Sequence, residues 1–309
     1  MKDVAQAQFN TREQCITCGA SEFNELAAGR FTEDPLHSFL SDDPFGEDPL
    51  PHLRNAEWRF VECRNCGQKL HQHVLNEEWN NIYYSRWISS EAIAQHAQVI
   101  GESGFESRFS QGSHAVERIL QLERLTRGLR GSDPLRVLDF GCGEGHFLAA
   151  AAAFRCECVG VEFSAAREKT KVIDFFGNLD QVEEEYGLSH FHAVTLFQVL
   201  EHLSEPLSVL KELRKHIVDG GVLILETPNC VGVSGIQDKV DYRKIHPLGH
   251  INGFEPKTME LIAVNAGFEK VKTSTVQCTA DPMRAYKREA RRLLSPFLAD
   301  GTEQFFIAK

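Results

Sequence analysis

The sequence predicts a doubly wound α/β fold, a mostly parallel sheet with helices on both faces, preceded by a small cysteine-bearing module. Three observations predict it. The run Val137-Leu138-Asp139-Phe140 reads as a buried strand, followed by glycines at 141, 143 and 145 and an alanine-rich helix from Phe147 to Phe154. Roughly twenty residues further on, Cys158-Val159-Gly160-Val161-Glu162 reads as a second buried strand, again ending in an acid. Well upstream, two Cys-x-x-Cys-Gly pairs, Cys15/Cys18 and Cys63/Cys66, stand apart from this pattern.

Bulk properties bound the rest. A chain of 309 residues, 42% hydrophobic, holds one large domain or two ordinary ones with a buried core. Its net charge of −11 opposes a nucleic-acid or membrane-surface partner, because phosphate contacts need Lys and Arg. No apolar run approaches the ~20 residues that span a bilayer. The start, Met1 to Gln6, has no apolar signal core. With nine cysteines, an odd number, this points to reduced thiols and a cytoplasmic location. Nothing in the sequence fixes an oligomeric state.

The organisation expected is a metal-binding module over residues 1–88, a helical linker over 89–132 and an α/β domain over 133–309. In the first, the two-residue spacers let both thiolates of a knuckle reach one ion, and the glycines after Cys18 and Cys66 permit the turn. Four thiolates leave no position for water, so Zn²⁺ held by Cys15, Cys18, Cys63 and Cys66 would be structural. A redox-active Cys-x-x-Cys is the weaker alternative, since two matching knuckles need one explanation. The Asp-, Glu- and Pro-rich stretch Phe31 to Leu53 between the pairs reads as an excursion loop. Its Glu33, Asp34, Asp42, Asp43, Glu47 and Asp48 would repel nucleic acid. His71 and His73 read as strand-surface residues. Trp79, Tyr83 and Trp87 read equally as core anchors or substrate contacts.

Ser89 to Gly101 and Gly112 to Leu129 read as helices, the second presenting Val116, Ile119, Leu120, Leu122 and Leu125 on one face. Asp133-Pro134 then opens the α/β domain. Its glycine loop and following acid mark a nucleotide site at the carboxyl end of a parallel sheet, with Glu162 placed for ribose hydroxyls. A pyrophosphate loop would read G-x-G-x-x-G, but here the third glycine comes one residue early and His146 takes its place. Asp139 would also repel a pyrophosphate, whereas it suits a ligand with an ammonium group and a ribose. S-adenosylmethionine is such a ligand.

This segment resembles the first motif of class I S-adenosylmethionine-dependent methyltransferases, and Glu162 matches their second. Further motifs follow in order: the strand His192 to Phe197, the run Gln198-Val199-Leu200-Glu201-His202-Leu203, and a helix around Pro206 to Ile217. Next come Asp219-Gly220-Gly221, turning into a strand from Val222 that ends in Thr227-Pro228-Asn229, then His250 to Thr258 and Ala266-Gly267-Phe268. Together these are similar to the subgroup of ubiquinone-type, sugar and natural-product O-methyltransferases. The resemblance implies a Rossmann-like sheet of seven strands, with a helix ahead of the sixth. It implies that Asp139, Gly141 and Gly143 hold the methionine part of the donor. Glu162 would bind the ribose, Phe163 with Leu179 or Asp180 the adenine, and Phe197 and Gln198 would line the floor. His146 would pack beside the cofactor, and Cys142 is a small packing residue.

Methyl transfer from a sulfonium needs in-line positioning, and a hydroxyl acceptor also needs a base. The candidates are His250, His202 and His246, with Glu201 beside His202. A segment after strand five carrying His246 and His250 would arch over the donor. The expected function is therefore O-methylation of a small-molecule acceptor, a sugar or natural-product intermediate. Two alternatives remain: a non-catalytic protein that kept the fold, or an NAD-dependent oxidoreductase.

Overall fold

The structure, a computed structural model, describes residues 4–88, 105–163, 173–271, 283, 286–287, 290 and 301–309. In chain order the strands are β1 (Phe9–Thr11), β2 (Phe23–Arg30), β3 (Glu57–Cys63), β4 (Lys69–His71), β5 (His73–Leu75), β6 (Arg136–Phe140) and β7 (Glu157–Val161). They continue with β8 (Asp174–Phe176), β9 (Phe191–Phe197), β10 (Ile217–Pro228), β11 (Asn252–Gly253), β12 (Phe268–Lys270) and β13 (Gly301–Ala308). The helices are α1 (Leu36–Asp42), α2 (Glu77–Ile82), α3 (Phe105–Arg130), α4 (His146–Ala153), α5 (Leu179–Tyr186), α6 (Pro206–His216), α7 (Lys239–Lys244) and α8 (Pro256–Asn265).

The chain divides into two compact units. One gathers residues 1–103, 201–204 and 228–258; the other holds 104–200, 205–227 and 259–309. This differs from the contiguous division read from the sequence, because two segments of the α/β region fold with the N-terminal cysteines.

The second unit carries a sheet of seven strands in the order β12-β13-β10-β9-β6-β7-β8. Strands β8, β7, β6, β9 and β10 are parallel, and β12 runs antiparallel to β13. The chain moves outward from β6 through β7 to β8, then returns to the other side of β6 at β9. That reversal leaves a crevice at the carboxyl ends of β6 and β9, where open α/β sheets bind ligands. The central strands are mostly apolar because both faces are covered: Val137, Leu138, Ala193, Val194 and Leu196 are fully buried. Helix α3 begins earlier than its apolar pattern suggests. It buries Ala115, Ile119 and Leu122, while Val116, Leu120 and Leu125 are half-buried. The pair Gly220-Gly221 is not a turn ahead of a strand. It lies inside β10 as an irregularity between Ile217 and Val222, where a Cβ on Gly221 would sit 2.5 Å from the Ile217 side chain.

The first unit has a four-stranded antiparallel sheet, β11-β4-β3-β2, and a two-stranded ribbon of β1 with β5. Phe31 to Leu53 is not an excursion loop. It contains α1 and a short 3₁₀ turn, and Phe31, Leu36, Leu40 and Leu53 are buried in this unit's core. Apolar residues at 36 and 40, one helical turn apart, are masked in the sequence by the surrounding acids. Trp79, Tyr83 and Trp87 are core residues of the same cluster. His71 is also interior, fully buried with Nε2 bonded to the Ile245 carbonyl at 2.7 Å, rather than on the strand surface. The Ser89–Gly101 helix lies outside the described residues.

Candidate functional site

The four cysteines converge. Cys15 and Cys63 are buried, and the four sulfurs lie within 4.8 Å of one another. The Cys15–Cys66 and Cys18–Cys63 sulfurs are each 3.6 Å apart. Zn–S bonds of ~2.3 Å give a tetrahedron with edges of about 3.8 Å, so the arrangement fits one zinc ion. Each knuckle closes through a left-handed glycine: Gly19 (φ 73°) donates to the Cys15 carbonyl and Gly67 (φ 77°) to the Cys63 carbonyl, both at 2.9 Å. Burial pushes the Cys15 thiol up to about 11 and the Cys66 thiol higher still. A bound dication would be needed to hold them as thiolates.

In the second unit the loop after β6 is tied to β7. Gly141 and Cys142 donate their N–H groups to the Val161 carbonyl at 2.8 and 3.1 Å. Gly141 has φ 74°, and a Cβ there would lie 2.5 Å from Val199 Cγ2. Gly143 donates to Glu162 Oε2 at 2.8 Å, which brings the second acid onto the glycine loop. Asp139 is buried and accepts from the Thr195 hydroxyl at 2.6 Å. Desolvation pushes its carboxyl up to about 7, against the opposing effects of the Thr195 bond and Arg118.

The remaining assigned residues lie at the carboxyl ends of neighbouring strands. Phe163, 61% exposed, meets Phe140 edge-on at 5.3 Å between ring centres. Leu179 and Asp180 open α5, whose N-cap Asn178 accepts from the Gln181 N–H. Phe197 ends β9 against Phe147, with the Arg118 guanidinium 4.0 Å above its ring. Gln198 holds a left-handed backbone (φ 56°) and donates to the Glu226 carbonyl at 2.9 Å. Such strain in a residue with a side chain recurs at ligand sites. His146 does not pack into the site: it is exposed and faces Glu144 at 2.9 Å.

Two residues escaped the sequence reading. Thr195 pairs in register with Asp139 across β9 and β6, and a hydroxyl inside the run Phe191–Phe197 was the available signal. Arg118 bonds to both Glu226 and Glu303 as well as covering Phe197. Charge on an otherwise apolar helical face was its only mark.

The three histidines belong to the first unit. His202 Nδ1 lies 3.0 Å from the Gly249 carbonyl, so Nδ1 carries the proton and Nε2 the lone pair. The His250 ring donates to the backbone carbonyls of Arg243 and Lys244, and its Nδ1 is closed off from solvent without a hydrogen-bond partner. The two rings stand 4.7 Å apart, and with buried Glu201 their polar atoms gather within 4.8 Å. Burial first, then His202 and His246, hold the His250 pKa well below the ordinary histidine value. His246 is different. Its Nδ1 accepts from the N–H groups of Leu248 and Gly249 at 3.1 and 3.2 Å, and its Nε2 faces the Asp43 carboxylate at 3.7 Å. The basic nitrogen is already in use, so this histidine has no free lone pair to accept a proton. The segment carrying His246 and His250 is built into the cysteine-bearing unit and is not a detached strap.

A family model described as a methyltransferase domain matches residues 84–273, more than half of the chain. The chain is 30% identical over 105 residues to the ubiquinone biosynthesis O-methyltransferase of Xanthomonas campestris pv. campestris strain B100, covering 30% of this chain and 43% of that protein. It is 25% identical over 119 residues to the enzyme of that name from Aliivibrio fischeri strain MJ11, covering 36% and 51%. The chain thus spans about half or less of the length of these relatives. Among solved structures, the plantazolicin methyltransferase BpumL in complex with SAH aligns with a TM-score of 0.45 at 13% identity, over 70% of this chain and 90% of that one. The matched span contains the whole acid-and-glycine loop, and the chain belongs to the methyltransferase-domain family, among the class I S-adenosylmethionine-dependent methyltransferases.

Proposed function

We propose that the chain methylates a hydroxyl of a small molecule, a sugar or natural-product intermediate, with S-adenosylmethionine as donor. One observation carries this reading: a buried carboxylate, Asp139, and a second, Glu162, converge on a loop of left-handed glycines. This donor set fits an ammonium and a ribose, and its two carboxylates would repel a pyrophosphate.

Asp139, Gly141 and Gly143 hold the methionine portion, and Glu162 exchanges its bond to Gly143 for the ribose hydroxyls. Phe163, Leu179 and Asp180 border the adenine, and Phe197 and Gln198 form the floor. Bound S-adenosylmethionine supplies an electrophilic methyl on a sulfonium. The chain's part is to align the acceptor, exclude water and remove the hydroxyl proton. For that proton the candidate lone pairs are Nε2 of His202 and Nδ1 of His250. The zinc held by the four cysteines is structural.

Calorimetric titration of the full chain with S-adenosylmethionine, S-adenosylhomocysteine and NAD tests the reading. Binding of the first two and not the third is expected, and the reverse would overturn it. A screen of hydroxylated acceptors with methyl-labelled donor then separates an enzyme from a protein that only binds the donor.

A further inference from the structure

We propose that Arg12 is a positioning residue for the His202–His250 pair, and that the cysteine module sets it in place. The inference rests on the proposed methyl transfer only for the work given to that pair.

Arg12 follows β1 and lies three residues ahead of Cys15. Its backbone is fixed by its own module: its N–H donates to the Gln72 carbonyl at 2.8 Å, and Gln72 Nε2 donates back to the Arg12 carbonyl at 3.4 Å. The side chain then reaches two segments far away in sequence. Nη1 donates to Asn252 Oδ1 at 2.7 Å and to the Ile251 carbonyl at 3.4 Å, and Nη2 donates to the Ser204 carbonyl at 3.2 Å. Asn252, itself buried, completes the tie by donating Nδ2 to the Leu203 carbonyl at 2.8 Å.

These carbonyls follow directly on the two histidines. Leu203 and Ser204 come after His202, and Ile251 and Asn252 after His250. Regular structure gives these segments little support. His202 ends a single 3₁₀ turn, Leu200–His202, and the strand after His250 is only the two residues of β11. The bond from His202 Nδ1 to the Gly249 carbonyl therefore depends on the two backbones being held at a fixed separation. A guanidinium can do this because its planar fork presents several N–H groups in fixed directions; an ammonium on a flexible stem cannot reproduce it. All these residues lie within one compact unit. A module with a structural metal thereby acquires a function: it delivers the arginine that spaces two loops.

The test uses the full zinc-loaded chain with ¹⁵N-labelled histidine, whose long-range ¹H–¹⁵N spectrum reads which ring nitrogen carries the proton. In the wild type, His202 should show Nδ1–H and His250 Nε2–H. Arg12→Ala should move both toward averaged tautomers, while His71, buried in the same unit and bonded to the Ile245 carbonyl, keeps its Nε2–H tautomer. Arg12→Lys should fall between. S-adenosylmethionine affinity should change less than about two-fold, because Arg12 has no part in the donor site, whereas turnover on an identified acceptor should fall ~10–100-fold through kcat, the scale of a small misplacement. Unchanged His202 and His250 signals in Arg12→Ala would overturn the proposal. If that variant also loses the His71 signal, Asn252→Asp and Arg12→Lys decide by the same comparison. A wild-type chain that fails to bind S-adenosylmethionine would sink the methyl-transfer reading and leave this result standing.

Discussion

Thr195 donates its hydroxyl to Asp139 Oδ1 at 2.6 Å across the paired strands β9 and β6, and both side chains are closed to water. The bond lowers the Asp139 pKa, but burial outweighs it, and the carboxyl is pushed up to about 7. A carboxylate kept at this poise in the ligand-free protein has a clear use. A ligand ammonium would pull the pKa down and hold the charged form. Affinity for S-adenosylmethionine should therefore rise as pH climbs through about 7, measured by calorimetry at fixed ionic strength. Thr195→Val removes the hydroxyl that donates to Asp139. It should raise that midpoint and weaken binding at neutral pH by ~1–3 kcal/mol, the scale for a hydrogen bond to a charged group.

The same carboxyl should trade stability for binding. Its folded pKa lies above the ordinary value of 3.8, so the fold favours the protonated form. Stability is greatest below 3.8 and falls as the unfolded state ionises, until the loss levels off above about 7. Asp139→Asn escapes this. The ligand-free variant should match the wild type near pH 4 and unfold later than it at pH 8, by up to about 4 kcal/mol at ~1.4 kcal/mol per pH step. It should also bind S-adenosylmethionine ~1–3 kcal/mol more weakly. Denaturant melts at the two pH values check the sign.

How much of this was legible beforehand follows from the range of each interaction. Strands β6, β7, β9 and β10 were readable because burial on both faces makes their central residues largely apolar, and Gly141 because a local backbone conformation demands it. The four-cysteine site was readable because two spacers repeat. Thr195 and Arg118 were not, because their roles depend on register across the sheet and on a helix landing over Phe197. The interior of residues 31–53 was hidden for a related reason: Leu36 and Leu40 point inward from a segment whose Glu33, Asp34, Asp42 and Asp48 face out. Above all, no local pattern told that residues 201–204 and 228–258 would fold with the N-terminal module. That is decided by long-range ties such as Lys69 to Glu255 at 2.8 Å and His71 to the Ile245 carbonyl.

The cysteine site makes a separate prediction. The purified chain should carry about one zinc, because four thiolates complete one tetrahedral site. Cys63→Ser should destabilise the unit containing residues 1–103 far more than it weakens S-adenosylmethionine binding, since the proposed donor residues Asp139, Gly141, Gly143 and Glu162 lie in the other unit. Metal analysis with limited proteolysis reads the first effect and calorimetry the second. A variant with full zinc content and a wild-type digestion pattern would count against a structural metal.

Gly141→Ala should be harmful on two counts. Its φ of 74° is strained for any residue with a side chain, and the new Cβ would press on Val199. A loss of ~1–3 kcal/mol in stability is expected. Donor affinity should fall with it, since the displaced loop carries the Gly143 N–H that meets Glu162. Gly187→Ala, with φ 74° but nothing within 4 Å of the added atom, serves as a control for backbone strain alone. Equal effects in the two variants would mean that the contact with Val199 is irrelevant.

The histidines yield the last prediction. His250 is held neutral by burial far below the ordinary histidine range, so its Nδ1 lone pair is present throughout the physiological interval. If it takes the acceptor's proton, turnover should be flat from about pH 6 to 8 and fall only under strongly acidic conditions, where the ring protonates. A rise of turnover through the neutral range would instead rule out His250 as the group that takes the proton. Replacing the working residue by Ala should lower turnover by ~10²–10⁴, with S-adenosylmethionine affinity little changed. His246→Ala should behave differently. Its Nδ1 serves two backbone N–H groups and its Nε2 faces Asp43, so the loss should appear as lower stability of the first unit, with the shape of the pH profile preserved. Full turnover and an unchanged profile in both His202→Ala and His250→Ala would mean that alignment alone suffices and that solvent takes the proton.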